Sequence, residues 1–390
     1  MIPRDSETRT TIWLPYRQMK DGKKLAILTH HPGLTLSYAR VAREVGYGLE
    51  RLGFRVTWLG LPLPRTSPAS HRQAVMLPQT QTLHALANWL EAHRPEVLLT
   101  IGDPWMFPGI PSLTRKTATK WLAYFPVDGL PLPEGWETWI HDCHAPVVFS
   151  RFAHDVVFDA TGVRPPVAPH GVDAGQFHPT DRVEAKSQVG VEGFVVGTVA
   201  ANQQRKNLPA LLEAFARFAK DKSDVQLYLH TPVTGPCWDL LQLARHLDIE
   251  PRTRATLNYD PARGLPDEQM RTIYNSFDVF VLPTMAEGFG LPLIEAQACG
   301  VPTLATDFSA CSELLPDAFQ RLRIRARLTM QRNIEQAVVD VDDIVEKLQT
   351  LYDDPELRSR LSIAGIANAM THTWDRCAAI LADEAGRLAS

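Results

Sequence analysis

Glu287 and Glu295 flank the start of a short helix in EGFGLPLIEAQACG, residues 287–300. Glu287 falls in the loop, where Gly288, Phe289 and Gly290 let the backbone come close to a ligand. Leu291 to Cys299 reads as a helix, with Pro292 in its first turn and Gly300 as its stop. Glu295 lies one turn in. The unpaired N–H groups at such a helix start are a seat for phosphate oxygens. A carboxylate there suits hydroxyls instead, because it accepts hydrogen bonds strongly. Hydroxyls on both sides of a diphosphate describe a nucleotide-sugar, with ribose at one end and a hexose at the other. The plainer alternative is a buried helix carrying two solvated carboxylates.

Other residue types of chemical interest fall just after apolar runs. Arg205 and Lys206 precede a helix in ANQQRKNLPALLEAF. Two cations beyond a strand's carboxyl end sit where open α/β sheets bind ligands, and would neutralise a departing diphosphate. Asp103 in GDPWM and Asp128 in FPVDGLPLP also end apolar runs. Each is a candidate for chemistry or for capping the helix that follows. Gly33, in HHPGLTLSY, would allow its loop to approach the donor closely. Trp105, Phe107, Tyr124 and Phe125 would line an acceptor site or pack in the interior.

The elements that must position these residues alternate. In the first half LAILTH (25–30), FRVTWLG (54–60), EVLLTIG (96–102), WLAYFP (121–126) and VVFS (147–150) read as strands. SYARVAREVGYGLERL, QTLHALANWLEAH and RFAHDVVFDATG read as helices, and a Pro-rich connection follows residue 60. PHGVDAGQFHPTDR (169–182) breaks the pattern as a linker. The alternation then restarts with FVVGTVA, VQLYLH, ATLNY and VFVLPT as strands. This predicts an α/β protein of two doubly wound parallel sheets. Neither unit carries GxGxxG after its first strand, which counts against a nicotinamide or flavin dehydrogenase.

Taken together, these segments resemble the E-x7-E motif and surroundings of the retaining glycosyltransferases with the GT-B fold, in particular glycosyltransferase family 4. The resemblance is continuous from roughly residue 145 to 315. It implies that Glu287 is catalytic beside the donor sugar and that Glu295 holds the ribose. Gly288, Phe289, Gly290 and Leu291 would shape the donor seat. Lys206-Asn207 match the second part of the family's phosphate-binding stretch. Its earlier Arg has no counterpart, since Ala200, Ala201 and Asn202 occupy that region, and Arg205 or Asn202 is expected to substitute. Many members carry a His near the position of Asp128, so an Asp would here orient or deprotonate the acceptor hydroxyl. PHGVD and FHP resemble the family's interdomain hinge, and Trp374 opens what looks like its last helix, which crosses back to the first domain. The expected division is an acceptor-side Rossmann-like domain, 1–175, joined by the crossover helix 373–390. A donor-binding Rossmann-like domain occupies 176–372.

The implied reaction moves a sugar from a nucleoside-diphosphate-sugar, UDP- or GDP-linked, to an acceptor hydroxyl, without metal or other cofactor. Glycan, lipid, small-molecule and hydroxylated-DNA-base acceptors stay open. Alternatives on the same architecture are a sugar-nucleotide epimerase, a phosphorylase, or a nucleotide-sugar-binding protein that has lost catalysis. DVDD (340–343) sits at a predicted helix start and reads as a solvated N-terminus rather than a metal site.

Composition narrows the classes further. With 390 residues, two domains are the natural expectation. No run approaches the ~20 apolar residues of a membrane span. The N-terminus lacks the apolar core of a secretory signal, so a cytoplasmic protein is expected. The five cysteines are scattered with no CxxC, as expected of reduced thiols. Residues 1–180 carry 18 Lys/Arg against 15 Asp/Glu, a slight basic excess compatible with an anionic partner such as nucleic acid or a membrane surface. No dense basic patch accompanies it.

Overall fold

The structure, a computed structural model, describes residues 22–34, 36–61, 74–78, 80–235, 237–257 and 264–390. The first lobe is built on β1 (Lys24–His30), β2 (Arg55–Leu61), β3 (Ala74–Met76), β4 (Val97–Ile101), β5 (Lys120–Phe125) and β6 (Ala145–Val148). The second uses β7 (Phe194–Val199), β8 (Val225–His230), β9 (Thr253–Ala255), β10 (Val279–Leu282), β11 (Thr303–Thr306) and β12 (Arg321–Leu322). Both sheets are six-stranded and wholly parallel, in the orders β3-β2-β1-β4-β5-β6 and β12-β11-β10-β7-β8-β9. A parallel strand covered on both faces must be apolar throughout rather than alternating. β4 and β7 meet that demand, every residue of each being buried.

In each lobe the chain order reverses at the middle of the sheet, between β1 and β4 and between β7 and β10. Loops leaving neighbouring strands there diverge to opposite faces and leave a crevice at the strands' carboxyl ends. The loops holding Gly33, Asp103, Arg205-Lys206 and Glu287 all leave these four strands. Asp128 follows β5, one strand further out.

The final helix, Trp374–Leu388, buries Trp374, Cys377, Ala378, Leu381 and Ala385, a stripe at helical spacing. It lies against the first-lobe helix Ser37–Arg51 so closely that a Cβ on Gly48 would stand 2.3 Å from that of Ala378. The hinge backbone is clamped at its start: a Cβ on Gly171 would meet Trp374 N at 2.1 Å, and Val172 N–H donates to His372 O at 3.0 Å. By Thr180, whose N–H donates to Asn275 Oδ1 at 2.8 Å, the chain already packs with the second lobe.

Two features differ from the sequence-based expectations. An antiparallel hairpin, β13 (Ile324–Thr329) and β14 (Glu335–Val339), occupies a stretch with no predicted element. Its first strand is mostly exposed, so no buried period marks it. The strand expected over ATLNY ends at Ala255, and residues 258 and 259 lie outside the described residues. Most of the Pro-rich connection also lies outside them. DVDD does open a helix: Asp340 accepts from Asp342 N–H, and Asp343 pairs with Lys347 at 3.0 Å.

Candidate active site

Glu287, which follows β10, is buried at 5% exposure. Its Oε1 accepts from Lys206 Nζ at 2.5 Å and its Oε2 from Arg205 Nη1 at 2.9 Å. The two cations come from the loop after β7, the strand hydrogen-bonded to β10, so the topology brings residues 81 positions apart into contact. The loop is held from three sides. Arg205 also donates to Ala286 O at 2.8 Å, Met285 N–H donates to Arg205 O at 2.6 Å, and Glu287 N–H donates to Ser309 Oγ at 2.9 Å. Burial alone would raise the Glu287 pKa. The Lys206 ammonium and Arg205 guanidinium more than reverse that, holding it at about 2. Burial and the adjoining Arg205 charge push the Lys206 ammonium down, against the pull of Glu287. A carboxylate offers about four acceptor positions, so two remain for ligand hydroxyls.

Asp128 faces this cluster from the first lobe. Burial raises its pKa, with Arg205 opposing and Glu287 adding to the rise. Asp103, after β4, accepts from Tyr38 Oη at 2.8 Å. Burial raises its pKa too, the Tyr38 hydrogen bond opposes, and the Asp128 charge adds. Two carboxyls with raised pKa values therefore stand opposite two cations, a division of labour suited to proton removal on one wall and anion stabilisation on the other.

Glu295 sits in a separate cluster. Its Oε1 accepts from Arg40 Nη1 at 2.7 Å and its Oε2 from Tyr274 Oη at 2.7 Å. Arg40 also pairs with Asp267 at 2.5 Å. Arg40 lies on the first-lobe helix, so this carboxylate anchors one lobe to the other. Sequence reasoning missed Arg40, Tyr38, Tyr274 and Ser309. Nothing local marks Arg40, which lies off the apolar stripe of Val41, Ala42, Val45 and Leu49.

The remaining expected donor residues divide. Gly288 brings the lobes together, since a Cβ there would stand 2.4 Å from Pro126 Cβ, two residues from Asp128. Gly290 begins the helix Leu291–Ala298 at φ 109°, a conformation natural to glycine. Leu291 is partly buried against the core at that helix start. Gly33 donates its N–H to His31 Nδ1 at 3.1 Å. Asn202 spends its amide hydrogens on Pro232 O and Trp238 O, both at 2.8 Å, so Arg205 rather than Asn202 adjoins Lys206. Phe289 turns from the loop onto His170, with ring centroids 4.7 Å apart. Phe149 and Trp374 flank the same imidazole at 4.3 and 5.7 Å. Burial among these rings holds the His170 pKa down at about 3. Among the described residues no group of three or more His, Cys, Asp or Glu is placed to hold a metal ion, and no helix is long and apolar enough to cross a membrane.

Two facing lobes, each with its switch point opening on a common cleft, define the GT-B architecture. Solved GT-B structures superpose on nearly the whole chain. Sucrose-phosphate synthase from Thermosynechococcus elongatus does so with TM-score 0.76, covering 94% of this chain and 99% of its own at 16% identity. The Anabaena protein HepE, in complex with UDP and glucose, gives TM-score 0.70 over 93% of this chain and 98% of its own at 14% identity.

Residues 193–354, the body of the second lobe, match the family described as "Glycosyl transferases group 1". The D-inositol 3-phosphate glycosyltransferase of Arthrobacter sp. is 28% identical over 221 residues, 55% of this chain and 48% of that protein. The chain thus spans about half the length of this curated relative.

Proposed function

We propose that this protein is a retaining glycosyltransferase, akin to family 4, that works in the cytoplasm without a metal. It transfers a hexosyl group from a nucleoside-diphosphate-sugar to a hydroxyl acceptor. The observation that carries the reading is the Arg205-Lys206 pair, fixed by Glu287 at the switch point of the lobe that matches group 1 glycosyltransferases. The Anabaena neighbour crystallised with UDP and glucose lends support through its shared fold.

Charge grows on the diphosphate as the glycosidic bond breaks. Lys206, Arg205 and the N-terminus of the helix Leu291–Ala298 stabilise it there. Glu287 holds the two cations ready and uses its spare acceptor positions on sugar hydroxyls. Glu295 receives the ribose hydroxyls, for which Arg40 and Tyr274 keep it oriented. Asp128 orients the acceptor hydroxyl, and the departing phosphate takes its proton on the same face. Contact of the lobes at Gly288 and Pro126 keeps water from consuming the donor.

Incubation with radiolabelled UDP- and GDP-sugars tests the reading. Labelled glycoside, or slow hydrolysis without acceptor, is expected. An epimerised nucleotide-sugar, or tight binding with no turnover, would replace it with one of the alternative activities.

A further inference from the structure

The loops that carry Asp103 and Asp128 each continue to an indole. Trp105 lies two residues beyond Asp103, and Trp136 eight beyond Asp128, with Glu134 beside it. Trp105 is 55% exposed, whereas Phe107, Tyr124 and Phe125 of the same aromatic group are buried in the core. The core therefore leaves more than half of the Trp105 side chain uncovered.

The second lobe reaches across to these loops through the β13–β14 hairpin. Glu335 N–H donates to Leu130 O at 2.6 Å, and Ala337 N–H donates to Met285 O at 2.9 Å. One strand therefore ties the Asp128 loop to the Glu287 loop. At the tip, Arg332 and Asn333 both take left-handed backbone conformations, φ 63° and 57°, which side chains other than glycine rarely adopt. Backbone strain of this kind concentrates at functional positions. It sets the Arg332 guanidinium over the Trp105 ring, 5.5 Å from its centroid. Among the described residues no carboxylate pairs with Arg332. Trp105, Glu134, Trp136, Arg332 and Asn333 together line an open cavity of about 320 Å³.

We propose that this cavity, built by both lobes, is the platform that receives a saturated polyhydroxylated ring of the acceptor, a pyranoside or cyclitol. The proposal rests on the glycosyltransferase reading of the adjoining cleft. Indole faces offer an apolar surface to the C–H face of such a ring. Glu134 accepts from its hydroxyls, and Arg332 and Asn333 donate to them or accept from them. A polyanion fits less well, because the single cation in the lining is opposed by Glu134. Since Arg332 and Asn333 belong to the donor lobe, the platform is complete only when the lobes are docked.

Saturation-transfer NMR tests this with methyl α-glucopyranoside, methyl α-mannopyranoside and myo-inositol, each in the presence of UDP and, separately, of GDP. Ring C–H signals are expected from at least one compound. They should fall by roughly fivefold or more in Trp105→Ala and in Arg332→Ala, as for truncation of an interface anchor. Trp105→Phe should restore part of the loss. Both residues are exposed, and thermal melts check that the variants fold. Absence of ring signals from the wild type, or equal signals in Trp105→Ala or Arg332→Ala, overturns the platform. The rise in Tm that UDP or GDP gives the wild type reads the donor site separately. A rise without ring signals sinks the platform alone, and ring signals with no rise from either nucleotide sink the nucleotide-sugar reading.

Discussion

Replacing Glu287 by glutamine keeps the shape of the side chain and removes its charge. Lys206 then loses its only carboxylate partner among the described residues while staying 8% exposed. The Glu287 pKa lies at about 2, against an ordinary value of 4.5. At 1.36 kcal/mol per pKa unit, that gap corresponds to roughly 3 kcal/mol of stabilisation at neutral pH. Breaking a buried ion pair costs a similar ~3–5 kcal/mol. The pH dependence is the sharper signature. Because the folded pKa is depressed, the contribution is complete above pH 4.5 and disappears as pH falls towards 2. Urea unfolding of wild type and Glu287→Gln should differ by about 3 kcal/mol at pH 7, and by about 2 kcal/mol at pH 3.5. A difference below about 1 kcal/mol at pH 7, or one that ignores pH, would refute the pairing of this carboxylate with both cations.

Other consequences can be measured on the same protein. A double-mutant cycle on Arg40→Ala and Glu295→Gln should return a coupling of ~1–3 kcal/mol in stability. Additive effects would mean that the inter-lobe pair is spent in solvent. Glu295→Ala should mainly weaken donor binding, by ~1.5–3 kcal/mol in calorimetry, whereas Glu287→Ala should cut turnover more than affinity. His170 is a base with a folded pKa of about 3, so the unfolded chain binds its proton first and stability falls as pH drops below about 6.5. Between pH 7 and 5.5 the wild type should lose about 1 kcal/mol more than His170→Phe, and parallel losses in urea titrations would contradict the buried neutral imidazole. Gly288→Ala should lower Tm and activity together by driving its Cβ into Pro126, at a cost of ~1–3 kcal/mol.

Much of the architecture is legible in the sequence, because strands buried on both faces must be apolar from end to end. LAILTH, EVLLTIG and FVVGTVA announce themselves in that way. Once the sheets are doubly wound, the switch point places Arg205, Lys206 and Glu287 at one crevice without coordinates. Their pairing is not legible, since it depends on how two loops 80 residues apart close on each other. The hairpin escapes notice because IRARLT faces solvent and leaves no apolar period. The aromatic group divides for a similar reason: Phe107, Tyr124 and Phe125 point into the core and Trp105 does not, a difference of loop geometry rather than residue type. Asn202 and Phe289 show the same limit. Each lies in a site loop, yet one side chain is consumed by carbonyls and the other by His170. The role of Arg40 depends on a contact between lobes, which no local pattern encodes.

In the proposed reaction Lys206 and Arg205 receive a diphosphate in the cleft between the lobes. Calorimetric titration of UDP and GDP against uridine and guanosine, on wild type and Lys206→Ala, addresses it most directly. One diphosphate should bind at least about tenfold more tightly than its nucleoside, as expected for charge-assisted hydrogen bonds, and Lys206→Ala should erase most of that margin. Equal affinity for nucleoside and diphosphate, or a margin untouched in Lys206→Ala, would contradict the account.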